Sequence, residues 1–207
     1  MKHSHPVFLV DDEPGLLKAL TRLLKTEGYQ PKTFTSALDF LKMPRSNEPA
    51  CLILDVSMPE MTGLELQQHL LAEDSALAII FISGNSDIPM SVRAIKAGAV
   101  DFLTKPVKDS ELLEAISSGL KKAVELGNAR SERQELRNRL SALTPRELEV
   151  FIQVVTGLPN KVIANQLGIG EQTIKVHRSR AMIKMGAQSL AELVLIAERL
   201  GLVGTKK

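Results

Sequence analysis

The stretch "CLILDVSMP" at residues 51–59 runs an apolar segment directly into a carboxylate. Its first four residues, Cys51 to Leu54, predict a fully buried strand, because a strand covered on both faces is apolar throughout. Asp55 follows at once, and Pro59 closes the segment. Ligands of an open parallel sheet bind beyond the carboxyl ends of its strands. The sequence therefore predicts that the buried strand holds Asp55 at the rim of a pocket.

Four other apolar runs have the length of strands and alternate with helical patterns. The predicted strands are residues 7–10, 31–34, 51–54, 78–82 and 99–103. Helix-start signals lie between them: Pro14 suits a first helical position, and Thr62 with Glu65 has the spacing of a capping box. Strands that alternate with helices predict right-handed crossovers and an α/β fold with a five-stranded parallel sheet, covered by helices on both faces.

Polar side chains stand at the ends of four of these predicted strands. They are Asp11, Asp12, Asp55, Ser83 and Lys105. Converging carboxylates repel one another, so three of them favour a bound cation, and Mg²⁺ is the usual hard ion in phosphate chemistry. A carboxylate can also act as a nucleophile on phosphorus, while an ammonium and a hydroxyl stabilise phosphoryl oxygens. Singly, each residue suits a turn or a cap; together they indicate a phosphoryl-transfer site.

Several motifs of the first part resemble the receiver domain of bacterial two-component response regulators, over about residues 5–123. They are "VDDE" (10–13), "LDVSMPEMTGLEL" (54–66), "ISGNSD" (82–87) and "AIKAGAVDFLTKP" (94–106). The resemblance implies a flavodoxin-like fold with strand order 2-1-3-4-5. It also implies that Asp55 is the phosphoacceptor and that Ser83 and Lys105 are the family's hydroxyl and lysine.

The same resemblance assigns further roles around this pocket. It implies that Asp11, Asp12 and Asp55, with the backbone carbonyl of Ser57, hold Mg²⁺ or Mn²⁺, and that the Lys105-Pro106 bond is cis. Phe102 occupies the position of the family's switch aromatic, which turns inward on phosphorylation, although plain core packing explains a Phe equally well. Ser57 and Asn85 stand where the family tunes the lifetime of the phosphoryl group.

The composition and hydrophobic pattern of the sequence change after residue 123. Residues 124–141 are charged and contain Gly127-Asn128, which predicts a partly helical linker between a receiver at 1–123 and a second domain at 142–207. That second domain shows four helical patterns and no strand. Thr144 with Glu147 predicts a capping box at its first helix, and Asn160 predicts the cap of its second helix.

Residues 143–202 resemble the LuxR/FixJ-type helix-turn-helix through "LTPRELEV" (143–150), "NKVIANQLGI" (160–169) and "TIKVHRSRAMIKMG" (173–186). Ile174, His177, Ala181 and Met185 are predicted to form the inner face of the longest helix. The predicted DNA contacts lie on its other faces, to base edges from Gln172, Lys175, Val176 and Ser179 and to phosphates from Thr173, Arg178, Arg180 and Lys184.

The charge distribution suggests different partners for the two parts of the chain, a cation for the acidic first part and nucleic acid for the basic second part. Residues 1–123 carry 13 Lys and Arg against 16 Asp and Glu, a net charge of −3, whereas residues 124–207 carry 13 against 8, a net charge of +5. The single cysteine, Cys51, excludes an internal disulfide and a thiolate zinc cluster, which favours a cytoplasmic setting. The longest apolar stretch, 76–82, is shorter than the ~18 residues of a membrane span, and no signal peptide is expected after "MKHSHPV".

Taken together, the chain is similar to FixJ-subfamily response regulators over almost its whole length. This resemblance implies a non-enzymatic switch: a sensor histidine kinase phosphorylates Asp55, a homodimer forms, and the dimer binds promoter DNA and acts on RNA polymerase. Two alternatives remain open. The receiver can be a phosphorylation-independent scaffold of a DNA-binding regulator. An aspartyl-nucleophile phosphatase is less favoured, because such enzymes of the haloacid dehalogenase type need a second Asp two residues later, where Ser57 stands.

Overall fold

The first unit of the chain is built around a parallel β-sheet. The computed structural model describes residues 5–44, 48–73, 75–84 and 88–203. Within them, five strands pair in parallel in the order β2-β1-β3-β4-β5. The strands are β1 (Val7–Val10), β2 (Pro31–Phe34), β3 (Ala50–Asp55), β4 (Leu77–Ser83) and β5 (Asp101–Thr104). The predicted α/β fold and strand order are confirmed.

Helices cover both faces of this sheet. They are α1 (Pro14–Thr26), α2 (Ala37–Lys42), α3 (Gly63–Ala72), α4 (Ile88–Lys96) and α5 (Asp109–Ser141). One apolar core joins α1 and α5 to the sheet around Ile53 and Ile80, which are fully buried. The other core joins α2, α3 and α4 to the opposite face around Leu54 and Phe81. Alternate residues of the same strands enter opposite cores, so β3 and β4 are apolar throughout.

Strand ends differ from the predicted ones by one or two residues. β3 and β4 each extend one residue further at both ends than predicted. β5 begins at Asp101 rather than at residue 99, because the Ala99 amide donates to the Ala94 carbonyl and closes the end of α4. The capping signals hold: Thr62 and Glu65 form a reciprocal box at α3, and Pro14 is the first residue of α1.

The predicted partly helical linker at residues 124–141 is wrong in one respect: the segment is helical throughout. α5 runs for 33 residues without a break, past the boundary between the two compact units, Met1–Arg130 and Ser131–Lys207. Gly127 lies inside it against Pro49, and an added Cβ would stand 3.1 Å from the Pro49 side chain. This glycine therefore serves close packing, which outweighs the ~1 kcal/mol that glycine costs a helix.

The second unit adds four helices to the end of α5. They are α6 (Pro145–Val155), α7 (Asn160–Leu167), α8 (Glu171–Met185) and α9 (Leu190–Arg199), and the described part of this unit contains no strand. Their apolar faces share one core that includes Phe151, Ile163 and Met185. No helix in the described ranges is both long and apolar enough for a membrane span.

Helix ends in this unit follow the predicted signals with one exception. Thr144 and Glu147 form the predicted reciprocal capping box at α6. The predicted cap by Asn160 is wrong, because Pro159 is the N-cap residue of α7 and no side chain caps that end. Asn160 instead lies in the first turn, where its side-chain oxygen accepts a hydrogen bond of 3.2 Å from Arg178.

Candidate functional site: a lysine-bridged acid pocket and an exposed helix

The carboxyl ends of neighbouring strands deliver the predicted pocket residues to one edge of the sheet. Asp55 is the last residue of β3 and Ser83 the last of β4, while Asp11 and Lys105 directly follow β1 and β5. The strand register aligns these ends, since Val10 pairs with Leu54 and Ser83 pairs with Thr104. Four residues that are far apart in the sequence thus converge, as their positions at strand ends predicted.

The Lys105 ammonium lies between two buried carboxylates. Its Nζ is 2.7 Å from Asp11 Oδ2 and 2.7 Å from Asp55 Oδ1. Asp11 is 0% exposed and Asp55 is 3% exposed. Two acids this deep repel each other unless a cation lies between them, and the lysine supplies that charge.

Backbone amides fix the other oxygens of the two acids. The Glu13 amide donates to Asp11 Oδ1 at 2.8 Å, and the Ser57 amide donates to Asp55 Oδ2 at 2.7 Å. The loop after Asp55 is also tied back, because the Gly63 amide donates to the Val56 carbonyl at 2.9 Å. The position of each carboxylate is therefore determined by the fold rather than by a free rotamer.

Burial and pairing act on the titration of these groups in opposite directions. Burial raises the pKa of Asp55 above its usual value, and the hydrogen bond from Lys105 offsets part of that rise. Burial alone would lower the pKa of Lys105, but the hydrogen bonds to Asp11 and Asp55 raise it above its usual value. The raised pKa of Lys105 favours its charged ammonium, whereas burial disfavours the ionised form of Asp55.

The predicted cation site consists of Asp11, Asp12, Asp55 and the backbone carbonyl of Ser57. Asp12 is exposed, and the described residues contain no group of three or more His, Cys, Asp or Glu side chains that could hold a metal ion. The donors themselves fit Mg²⁺ or Mn²⁺, since they are hard carboxylate oxygens at a partly open rim and such ions keep several waters.

The remaining predicted features of the pocket are Ser83, the Lys105-Pro106 bond, Phe102 and Asn85. Ser83 is buried, and its carbonyl accepts a hydrogen bond of 2.8 Å from the Lys105 amide. The Lys105-Pro106 bond is cis, as the resemblance implied. Phe102 is half-buried, with its ring centroid 6.1 Å from that of Phe81 at an angle of 37°. Asn85 lies outside the described residues.

Helix α8 presents most of the predicted DNA contacts to solvent. Six of the eight are exposed: Gln172, Thr173, Lys175, Val176, Ser179 and Arg180. On the opposite face, Ile174, Ala181 and Met185 are buried in the core as predicted, whereas His177 is half-buried. The Nδ1 atom of His177 is buried and has no hydrogen-bond partner among the described residues.

The other two predicted phosphate contacts have protein partners. Arg178 is half-buried and donates to Asn160. Lys184 Nζ lies 2.6 Å from a carboxylate oxygen of Glu147 and 3.0 Å from the Ala142 carbonyl. In this structure Lys184 ties α8 to the start of α6, which the sequence did not reveal because Glu147 lies far away in the chain and already had a role as a capping residue.

Comparisons with known proteins cover both units. Residues 7–117 match the family described as response regulator receiver domain, and residues 141–197 match bacterial regulatory proteins of the luxR family. The response regulator protein TodT of Pseudomonas putida is 44% identical over 194 residues, which are 94% of this chain and 86% of that protein.

Two further similarities extend over nearly all of the chain. The transcriptional regulatory protein FixJ of Azorhizobium caulinodans is 39% identical over 197 residues, which are 95% of this chain and 93% of that protein. The solved structure of the response regulator StyR is similar with a TM-score of 0.71 and 43% identity, covering 95% of this chain and 100% of that one. Both similarities extend over the receiver unit and the helix-turn-helix unit of this chain.

Proposed function

The chain belongs to the response regulators, as a two-component regulator of transcription with a receiver and a LuxR-type DNA-binding domain, and we propose that phosphorylation of Asp55 controls its binding to promoter DNA. A sensor histidine kinase is the proposed phosphoryl donor. The proposed functional division is a receiver at 1–123, a connecting segment at 124–141 and a DNA-binding domain at 142–207. A role in the cytoplasm follows from these two partners.

The observation that carries the proposal is the Lys105 ammonium held 2.7 Å from both Asp11 and Asp55. A scaffold for dimerisation has no need to bury two acids and a lysine at one edge of a sheet, because such a group lowers stability unless every charge is paired. The pocket is instead suited to a dianionic phosphoryl group, which needs a nucleophilic oxygen and nearby positive charge.

The proposed reaction uses groups that the fold already positions. An oxygen of Asp55 attacks the phosphorus of a phosphohistidine, a new O–P bond forms, and the N–P bond breaks with its electron pair left on the imidazole. Lys105 moves its ammonium from the free carboxylate toward the phosphoryl oxygens, and the Ser83 hydroxyl donates to another. Mg²⁺ held by Asp11, Asp12, Asp55 and the Ser57 carbonyl would neutralise phosphoryl charge when bound.

The consequence proposed for the rest of the molecule is dimerisation. Phosphorylation removes one charge partner of Lys105 and draws Ser83 toward the phosphoryl group. Phe102 is only half-buried against Phe81, and it is proposed to turn inward when Ser83 moves. Paired receivers then bring two helix-turn-helix units to two half-sites, which raises affinity because a single small basic unit makes few phosphate contacts.

The DNA-binding surface is proposed on α8. Gln172, Lys175, Val176 and Ser179 are exposed on it and are proposed to reach base edges, while Thr173, Arg180 and Arg178 contact phosphates. We assign Lys184 to the ion pair with Glu147 instead of to DNA. Bound to a promoter, the dimer acts on RNA polymerase.

The test treats the full-length protein with beryllofluoride or acetyl phosphate in the presence of Mg²⁺. Light scattering then follows its mass, and fluorescence anisotropy follows its affinity for DNA. The expected result is a larger species with tighter DNA binding in the parent and neither change in Asp55→Asn. If Asp55→Asn responds like the parent, or neither protein responds, the receiver is a scaffold. Steady release of phosphate from small phosphoesters would indicate a phosphatase.

A further inference from the structure

The C-terminal end of α8 is held by the last turns of α5. The final carbonyls of any helix lack partners within the helix. Here the Arg139 guanidinium, from α5, donates to the Met185 carbonyl at 3.2 Å. A positive charge at a helix C-terminus is also favoured by the helix dipole. Arg139 in turn pairs with Glu135, one turn earlier in α5, which directs the guanidinium toward α8.

The residue after Met185 leaves room for this contact. Gly186 ends α8 with φ 74°, a left-handed conformation that glycine adopts without strain. A Cβ atom at Gly186 would overlap the Arg139 guanidinium. Glycine is therefore required at this position for two reasons: it ends α8 in a left-handed conformation, and it leaves space for Arg139 to reach the Met185 carbonyl.

A second contact joins the same two parts close by. Lys184 Nζ donates to the carbonyl of Ala142, the residue after the end of α5, at 3.0 Å. Arg199 of α9 also pairs with Glu132 of α5, and Leu140 packs against the core of α6 to α9. The last turns of α5 are therefore an integral part of the second unit and not merely a connection to it.

This contact acts on the face that is proposed to read DNA. Val176 lies nine residues before Met185, which is about 14 Å along a helix that rises 1.5 Å per residue. A tilt of about 5° at the Met185 end displaces Val176 by roughly 1 Å. The favourable donor–acceptor distances of a hydrogen bond cover a range of only about half an ångström. Such a tilt therefore weakens hydrogen bonds to base edges more than it weakens the charge attraction to phosphates.

We propose that Arg139 is a positioning residue for sequence-specific DNA binding: it touches no DNA but holds the C-terminal end of α8. The inference rests on the proposed DNA-binding function. It assigns to the final turns of α5, outside the helix-turn-helix itself, a part in the specificity of the protein.

The test compares full-length Arg139→Ala with Arg137→Ala, which removes an exposed arginine two residues earlier on the same helix. The probes are a duplex enriched from a random library by the beryllofluoride-treated parent and a scrambled duplex of equal composition. We expect Arg139→Ala to lose roughly 10-fold affinity for the selected duplex and less than about 2-fold for the scrambled one, with the salt dependence unchanged. Arg139→Lys should recover part of the loss, because its ammonium can still donate to a carbonyl. Arg137→Ala should keep the parent's ratio between the two duplexes.

Each other outcome overturns the proposal in a distinguishable way. An equal loss on both duplexes with a salt slope lower by about one would make Arg139 a phosphate contact. An equal loss that follows the unfolded fraction, read by circular dichroism in the assay buffer, would make its role purely structural. An unchanged affinity for the selected duplex would show that α8 needs no such support. If the parent enriches no sequence at all, the proposed function fails and the inference fails with it.

Discussion

The receiver pocket and the DNA-binding unit each join distant elements through a lysine and a buried acid. In the receiver, Lys105 is shared between Asp11 and Asp55 at 2.7 Å each. In the second unit, Lys184 pairs with Glu147 at 2.6 Å, and the Glu147 side chain is only 4% exposed. The distances are alike, but the surroundings differ. Asp55 accepts from Lys105 and the Ser57 amide, whereas Glu147 accepts from Lys184 and also closes a capping box with Thr144.

The two pairs differ in how the surroundings shift the pKa of the acid. Burial raises the pKa of Asp55 even with Lys105 beside it. By contrast, the hydrogen bond from Lys184 and that from the Thr144 amide lower the pKa of Glu147 to about 2. The first arrangement leaves charge that a phosphoryl group or a cation can still use; the second satisfies its carboxylate fully. A lysine–carboxylate contact by itself therefore does not identify a site. The distinguishing feature is the ratio of charged groups: two acids share one ammonium in the pocket, whereas Glu147 and Lys184 pair one to one.

The largest expected effect comes from removal of the shared lysine. Lys105→Met leaves Asp11 and Asp55 buried without a cation, and breaking such a group costs about 3 kcal/mol of unfolding free energy. Urea unfolding in a chelating buffer measures the loss. Added Mg²⁺ should restore more stability to the variant than to the parent, because an ion that binds only the folded state stabilises it.

Lys108→Met is the matched control for this experiment. Lys108 pairs with Glu111 at 2.7 Å, but both side chains are at least half exposed, and exposed pairs contribute ~0.5 kcal/mol or less. Should Lys105→Met prove as stable as Lys108→Met in chelator, the two acids of the pocket do not depend on the lysine and the contrast drawn above is lost.

The second prediction concerns Glu147 and gives a pH dependence of defined sign. The pKa of Glu147 is lowered from 4.5 to about 2 in the folded protein by the Lys184 and Thr144 hydrogen bonds. A lowered acid pKa stabilises the fold fully above the unfolded value of 4.5, and this contribution is lost as the pH falls through about 2. Glu147→Gln should therefore melt several degrees below the parent at neutral pH, and the gap should narrow below pH 4.5.

Glu149→Gln serves as the control, since Glu149 lies in the same helix and pairs with Arg146 at the surface. Its melting temperature should stay near that of the parent at every pH. A gap for Glu147→Gln that stays constant between neutral pH and about pH 3 would mean that charge is not what this carboxylate contributes.

The sequence predicted the receiver more completely than the second unit, because the receiver residues lie in short local motifs whereas the missed contacts join residues far apart in the chain. Asp55, Ser83 and Lys105 stand at strand ends, where a short motif fixes both element and position. Glu147 and Lys184 belong to different helices, and no periodic pattern connects them. The same holds for α5: Gly127 suggested a break in the helix, whereas its packing against Pro49 depends on a contact far away in the chain. Asn160 was misassigned because asparagine favours the N-cap position, whereas α7 begins at Asn160 itself and Pro159 is its N-cap residue.

The third prediction compares the capping boxes of α3 and α6. The comparison distinguishes the contribution of the cap to stability from that of the ion pair. Thr62→Ala removes the threonine hydroxyl from the box at α3, where Glu65 has no lysine partner among the described residues, and Thr144→Ala removes it from the box at α6. Each should cost about 1 kcal/mol of unfolding free energy. Thr144→Ala should cost slightly more, because the Thr144 hydroxyl also hydrogen-bonds the Glu147 carboxylate, which pairs with Lys184. Serine at either position should restore most of the loss, and equal costs would show that cap and ion pair act independently.

The smallest expected effect lies in the loop that follows Asp55. Glu60 has φ 64°, in the left-handed region that Gly168 at the end of α7 also occupies with φ 66°. A side chain in this region costs about 1–2 kcal/mol, while glycine loses more entropy on folding. Glu60→Gly should therefore raise the unfolding free energy by about 0.5 kcal/mol, and Gly168→Ala should lower it. If Glu60→Gly is destabilising, the Glu60 side chain makes a favourable interaction that outweighs its backbone strain, and the loop beside Asp55 is not a reservoir of strain.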